Sequence, residues 1–205
     1  MAPKNPFPAA FNDALAAYDA LLHLGYLPSQ IVLGGDSAGG GLALSLLYWL
    51  LSQGRATPSG VFALSPVTDL TFSGVSFVEN AHSDVVLHAV RCNESVDMYL
   101  DGHNPRDPRV SPLFGDFTGA PPVYLTVGDR EIFLDDTQRM TRLLSAAGAE
   151  VTCIVCPNLP HVWTLFAGFL PQADSTLRGL ATFVHQVFVV GEMGFCAAKP
   201  RAPKV

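Results

Sequence analysis

Apolar residues return every three or four positions between Pro8 and about Leu24, at Phe11, Leu15, Tyr18, Leu21 and Leu22. That spacing lines one face of a helix, and Gly25 and Pro28 stop it. Ile31-Val32-Leu33 is a short apolar run leading into Gly34-Gly35, the pattern of a buried strand. A second helix opens near Ala38 and carries Leu42, Leu46, Leu47 and Leu50 as far as Gly54. Gly60 to Leu64 reads as the next strand, ended by Ser65-Pro66.

The middle of the chain is less periodic. Segments 67–83 and 101–122 are rich in Asp, Ser, Gly and Pro, and they bracket a helix from about Leu87 to Leu100. Val123 to Val127 is a strand. Asp135 or Asp136 then caps a helix whose Met140, Leu143, Leu144 and Ala147 share a face before Gly148. Val151 to Val155 is another strand, and a last helix runs from about Ala173 to Val187. Residues 191–205 show no periodicity and read as a loose tail. Strands alternating with helices predict an α/β fold, a parallel sheet covered on both faces. No repeat or linker divides the chain, so residues 1–190 are expected to form one domain.

Composition narrows the classes. A chain of 205 residues, 49% hydrophobic and 15% charged, has the make-up of one globular domain with a sizeable core. A net charge of -6 argues against nucleic acid as a partner, because neutralising phosphates needs a basic face. The longest apolar stretch, Leu42 to Leu51, is interrupted by Ser45 and falls short of the roughly 20 residues of a membrane span. The N-terminus lacks the apolar run of a signal peptide, so a soluble, cytoplasmic protein is expected. The oligomeric state is left open, a homodimer included.

Cys153-Ile154-Val155-Cys156 has the C-x-x-C spacing of redox or zinc sites. It falls in a β-branched strand, however, where side chains three residues apart point to opposite faces. No second Cys/His pair stands at zinc spacing, so both are expected to be buried structural thiols and no metal site is assigned.

The strongest chemical signal is Gly35-Asp36-Ser37-Ala38-Gly39, a G-x-S-x-G string between a strand and a helix. In that setting the serine sits on a tight, strained turn with its hydroxyl exposed. Gly35 and Gly39 let strand and helix approach without a Cβ clash. No Gly-Lys-Ser/Thr follows, which argues against a phosphate-binding loop. A nucleophilic serine needs a base, and the base needs a carboxylate to orient it. In the chain order of this site the acid follows the serine and the histidine comes last. Of the six histidines, only His161 lies in a loop after the final strand. Asp129 and Glu131 both occupy the turn after Val123–Val127, and their position alone does not separate them. Asp69, after the preceding strand, is a third candidate. Asp135 and Asp136 are accounted for by capping and the helix dipole. Val67, Phe72, Trp163 and Phe166 lie close to these residues in sequence and are candidates for an apolar acyl pocket.

Together, GDSAGG at 35–40, SPVTDL at 65–70, the run from Asp107 to Asp136 and PHVW at 160–163 resemble the hormone-sensitive-lipase-like esterases of the α/β-hydrolase superfamily. The resemblance extends from about Asn5 to Phe183 and implies an α/β-hydrolase fold. It implies hydrolysis of small-molecule carboxylic esters of short or medium acyl chains, without a cofactor. The family's acid heads a string like Glu131-Ile132-Phe133-Leu134-Asp135-Asp136, which selects Glu131 over Asp129 and gives a Ser37, Glu131, His161 triad. It also makes the Ala38 N–H an oxyanion donor. The family's other donors lie in an upstream His-Gly-Gly-Gly stretch that does not precede Ser37. The first strands of the sheet, that loop and much of an N-terminal cap are therefore expected to be missing from these 205 residues. Their loss would bare the edge of the Ile31–Leu33 strand. Against the esterase stand a catalytically impaired remnant or ligand-binding protein of the same fold, a lactone hydrolase, and a peptidase or amidase. Relatives that bind ligands, such as the plant gibberellin receptors, depart from the pattern at the histidine, which is present here as His161.

Overall fold

A computed structural model of the chain describes residues 2–197, with side chains described as far as Val189. Its centre is a parallel four-stranded sheet in the order β1-β2-β3-β4. The strands are Val32–Asp36 (β1), Gly60–Leu64 (β2), Val123–Gly128 (β3) and Val151–Cys156 (β4). Parallel neighbours require a crossover between them. Helix α2 (Ala38–Ser52) connects β1 to β2, and α5 (Leu134–Ala146) connects β3 to β4. Between β2 and β3 lie the short α3 (Ser76–Glu79) and α4 (Ala89–Leu100). Helix α1 (Ala9–His23) precedes the sheet and α6 (Pro171–Ala197) follows it.

Alternation along the strands sorts side chains onto two faces. Val61, Ala63, Val123 and Leu125 pack against Ala43, Leu44 and Leu47 of α2 and Met140 and Leu144 of α5. Leu64 and Tyr124 point the other way, onto Leu180, Phe183 and Val187 of α6. Every residue of β3 is buried, as expected of a central strand in a sheet covered on both faces. Helix α1 lies on α2 through Tyr18, which with Ile31, Leu46 and Leu50 closes a further apolar cluster.

The predicted elements are present with shifted ends. Strand β1 runs through Gly34-Gly35 to Asp36, because those glycines still pair with Phe62 and Ala63 of β2. It is an outer strand of the sheet, and a groove of about 310 Å³ lined by Tyr18, Leu21, Leu33 and Leu46 runs beside it. The last helix does not stop near Val187. It begins at Pro171 and continues to Ala197, so residues 191–197 of the expected tail are helical. Residues 198–205 lie outside the described residues. Cys153 and Cys156 fall on opposite faces as expected, one against the α2–α5 core and the other against Leu159 and Trp163. Both are half-buried rather than buried, because β4 is the other outer strand. Among the described residues, no helix is long and apolar enough to cross a membrane.

Asp135 and Asp136 do not cap α5. Phe133 precedes the helix without a side-chain cap, and both aspartates lie inside its first turn. They reach away to α3 and the loop before it: Asp135 Oδ2 accepts the N–H of Ser76, the first residue of α3, and Asp136 Oδ2 accepts the N–H groups of Thr68 and Asp69. Tertiary bonds to a neighbouring loop thus replace the local cap.

Candidate active site

Ser37 stands between β1 and α2 with φ 53° and ψ −120°, a conformation costly for any residue with a Cβ. The turn is held by neighbouring loops. The Ser37 N–H donates to Leu64 O of β2 (2.8 Å), and Ser37 O accepts from Gly41 (3.1 Å) and Val67 (3.2 Å). Close packing explains most of the surrounding glycines. A Cβ on Gly35 would lie 2.4 Å from the backbone of Gly39, and one on Gly41 only 2.1 Å from Val67 O. Gly39 differs from the sequence expectation, since a Cβ there would meet nothing within 4 Å. The tight approach on the helix side belongs to Gly40 and Gly41, which face β2 and the loop after it.

His161 and Glu131 converge on this serine. His161 Nε2 lies 2.9 Å from Ser37 Oγ, and its Nδ1 lies 2.7 Å from Glu131 Oε2. A neutral imidazole with its proton on Nδ1 donates to the carboxylate and accepts the Ser37 hydroxyl at Nε2. Glu131 is fully buried and His161 nearly so, while Ser37 is half-exposed. The second carboxylate oxygen, Oε1, accepts Ser65 Oγ–H (2.8 Å) and the Gly128 N–H (2.5 Å). The carboxylate therefore has polar partners in place of water. The ring of Phe133 packs edge-on against the imidazole, with centroids 5.8 Å apart.

Asp129 has another partner. Its Oδ1 accepts the Asn158 N–H at 2.7 Å, tying the acid turn to the loop that carries His161. Asp69 is also engaged elsewhere, bonded to Thr71, Ser73 and Arg139. Asn80, Ser83 and Asp84 bond the backbone of Asp129, Arg130, Glu131 and Ile132, so the segment around α3 clasps the acid turn. Ala38 is exposed at the N-terminus of α2, where the first N–H groups of a helix lack internal acceptors. Among the described residues, the first α2 N–H with a backbone acceptor is that of Gly41. Asp36 is the last residue of β1 and is exposed.

A cavity of about 520 Å³ lies against Ser37. Val67 and Phe72 line it, as the sequence suggested, together with Leu42, Leu87, Val96 and Phe133. Trp163 and Phe166 do not. Trp163 is fully buried and donates to Thr176 Oγ1, and Phe166 is half-exposed beyond it. Sequence proximity to His161 misled here because the residues after it turn down toward α6. The wall contributed by α4 was missed, although Cys92, Val96 and Tyr99 recur at i, i+4 and i+7, which is a helix face. Among the described residues, no group of three or more His, Cys, Asp or Glu side chains is placed to hold a metal ion.

Residues 1–165 match the family model described as the alpha/beta hydrolase fold. The chain is 36% identical over 183 residues to an acetyl-hydrolase of Streptomyces hygroscopicus, covering 89% of this chain and 61% of the relative. It is also 36% identical over 184 residues to an esterase of Acinetobacter venetianus, with the same coverage of 89% and 61%. The crystal structure of an esterase from the bacterial hormone-sensitive lipase family superposes with a TM-score of 0.89 at 40% identity, covering 92% of this chain and 63% of that one. The chain thus spans less than two thirds of the length of each of these relatives. By sequence and by structure it belongs to the alpha/beta hydrolase fold family, and within it resembles the bacterial hormone-sensitive lipase esterases.

Proposed function

We propose that this chain carries the reaction centre of a serine carboxylic-ester hydrolase, with Ser37 as nucleophile, His161 as base and Glu131 as acid. The observation that carries the reading is the unbroken hydrogen-bonded series from Ser37 Oγ through His161 to Glu131. Ser37 Oγ attacks the ester carbonyl while His161 Nε2 takes its proton. The imidazolium formed is stabilised by the Glu131 carboxylate, which also fixes the ring's tautomer. As the tetrahedral intermediate collapses, the C–O bond to the alcohol breaks and His161 returns the proton to the leaving alkoxide. Water, deprotonated by His161, then cleaves the acyl-enzyme by the same path. The Ala38 N–H is the donor this chain offers to the developing oxyanion, and α2's dipole favours negative charge at that point.

The names of the relatives, acetyl-hydrolase and esterase, support ester cleavage. The cavity beside Ser37, about 520 Å³ and lined in part by Leu42, Leu87, Val67, Val96, Phe72 and Phe133, with His88, Arg91 and Arg109 also on its walls, supports an apolar acyl group of short or medium length. Lactones would enter by the same attack.

The test is hydrolysis of p-nitrophenyl butyrate by the 205-residue chain, with Ser37→Ala as control. Turnover above the control, with labelling of Ser37 by a fluorophosphonate, is the expected result. Equal rates and no labelling would overturn it, leaving the cavity as a ligand-binding site without chemistry.

A further inference from the structure

Ser65 follows the last residue of β2 and is completely buried. Its N–H donates to Thr126 O on β3 at 2.7 Å, which anchors its backbone in the sheet. Its hydroxyl has two partners far apart in sequence. Oγ donates to Glu131 Oε1 at 2.8 Å and accepts the Val162 N–H at 3.1 Å. A carboxylate oxygen can only accept, so the hydroxyl proton points at Glu131 and a lone pair of Oγ is left for the Val162 N–H.

Both ends of this bridge are held in the left-handed region of backbone space. Ser65 has φ 49° and Val162 has φ 50° with ψ 48°. A β-branched residue adopts that conformation only when its surroundings impose it. Val162 directly follows His161, so its backbone sets where the imidazole begins. Among the described residues, Glu131 Oε1 receives Ser65 Oγ–H and the Gly128 N–H, while Oε2 faces His161. One hydroxyl, together with the Gly128 N–H, therefore holds the rotation of the Glu131 carboxylate, and the same hydroxyl holds the peptide that follows His161.

We propose that Ser65 is a positioning residue for the Glu131–His161 pair, holding acid and base in register through a single bridging hydroxyl. The proposal rests on the serine hydrolase reading above. It goes beyond it in giving a role to a residue that touches neither substrate nor Ser37.

The experiment uses Ser65→Ala and Ser65→Gly in the 205-residue chain. Both remove the hydroxyl, and glycine also relieves the left-handed backbone, so a fold penalty and a loss of positioning separate. With p-nitrophenyl butyrate, kcat per fluorophosphonate-labelled site falls about tenfold or more in both variants, the scale of a hydrogen bond to a charged group. KM stays within about twofold, because the cavity is untouched. A kcat within about twofold of the parent's in either folded variant overturns the proposal. So does loss of the folded state in both, which would make the hydroxyl a requirement of the fold. A second readout needs no turnover: the His161 Nδ1–H proton resonance, in ¹⁵N-labelled protein, moves upfield or broadens in both variants. An unchanged resonance overturns the proposal even if the parent chain hydrolyses nothing. A parent rate equal to that of Ser37→Ala overturns the hydrolase reading alone.

Discussion

Asp69 and Asp136 share one buried site, where the Asp69 N–H donates to Asp136 Oδ2 at 2.9 Å, yet their carboxyls hold protons oppositely. Burial pushes the Asp136 carboxyl up to about 7; bonds from the Thr68 and Asp69 N–H groups oppose this, and the Asp69 charge adds to it. Asp69 is also raised by burial, but bonds from Ser73, Thr71 and Arg139 outweigh that and hold it below the usual carboxylate range. Below about pH 7 the negative charge of the pair therefore sits on Asp69, beside Arg139.

A stability profile follows from the sign of the Asp136 shift. Between the ordinary carboxylate value of about 4 and the folded value, the folded state binds the proton and the unfolded state does not. The contribution of Asp136 to stability therefore falls as pH rises from about 4 to about 7, then levels off. Asp136→Asn keeps an oxygen for the Thr68 and Asp69 N–H groups but cannot ionise. Urea melts across this range should show the variant gaining stability relative to the parent as pH rises. A constant difference would show that Asp136 does not titrate there. Asp69 works the other way: its contribution is present above the unfolded value and is lost as pH falls through the lower folded one.

The acid assignment gives a second prediction. Glu131→Gln removes the charge that stabilises the His161 cation and disturbs the ring's tautomer, so kcat should fall by about 10³–10⁴-fold. Asp129→Asn removes a charge that accepts the Asn158 N–H and lies 3.9 Å from Arg130 Nε, and kcat should stay within about threefold of the parent, in the range of substitutions away from the reacting groups. Steady-state rates for the pair decide it. The reverse pattern would move the acid to Asp129.

A third prediction separates strain from chemistry at Ser37. Alanine there keeps the Cβ at φ 53°, whereas glycine removes it. Such backbone strain is worth about 1–3 kcal/mol. Glycine's extra freedom in the unfolded chain returns roughly 0.5–1 kcal/mol of that. Ser37→Gly should therefore be about 1 kcal/mol more stable than Ser37→Ala, with both inactive. Equal urea midpoints would mean the elbow stores no strain.

Much of this architecture was readable from the chain, and the gaps share a cause. Strands β2, β3 and β4 announce themselves as short apolar runs, and α2 as a leucine stripe, because their partners are local or generic. His161 stands out in the sequence by its place after the last strand, and its Nε2 lies 2.9 Å from Ser37 Oγ. Glu131 and Asp129 could not be separated by position, since part of what distinguishes them is remote: Ser65, 66 residues away, joins the nearby Gly128 N–H on Glu131 Oε1 while Oε2 faces His161. Ser65 itself reads as nothing more than the end of a strand, because its partners lie 66 and 97 residues away. Asp135 and Asp136 looked like caps for the same reason, as their true acceptor roles are in another loop.

The glycines of the elbow provide the last prediction, and they invert the symmetry of the motif. Gly35 and Gly39 flank Ser37 equally in sequence, but only Gly35 is confined. Its Cβ would sit 2.4 Å from Gly39 C and 2.5 Å from Gly39 O, backbone atoms that move only by unseating the start of α2. Gly35→Ala should shift that helix relative to β1, cost several kcal/mol in the manner of an overpacked core, and abolish turnover. Gly39→Ala meets open space and takes on a better helix former inside α2, so stability should rise by about 0.5–1 kcal/mol. Because Gly39 lines the cavity beside Ser37, its added methyl is felt by substrate. KM for p-nitrophenyl butyrate should change more than kcat. Thermal melts and steady-state kinetics on the two variants check both halves. Comparable destabilisation in both would mean that the motif's second glycine is held by the backbone after all.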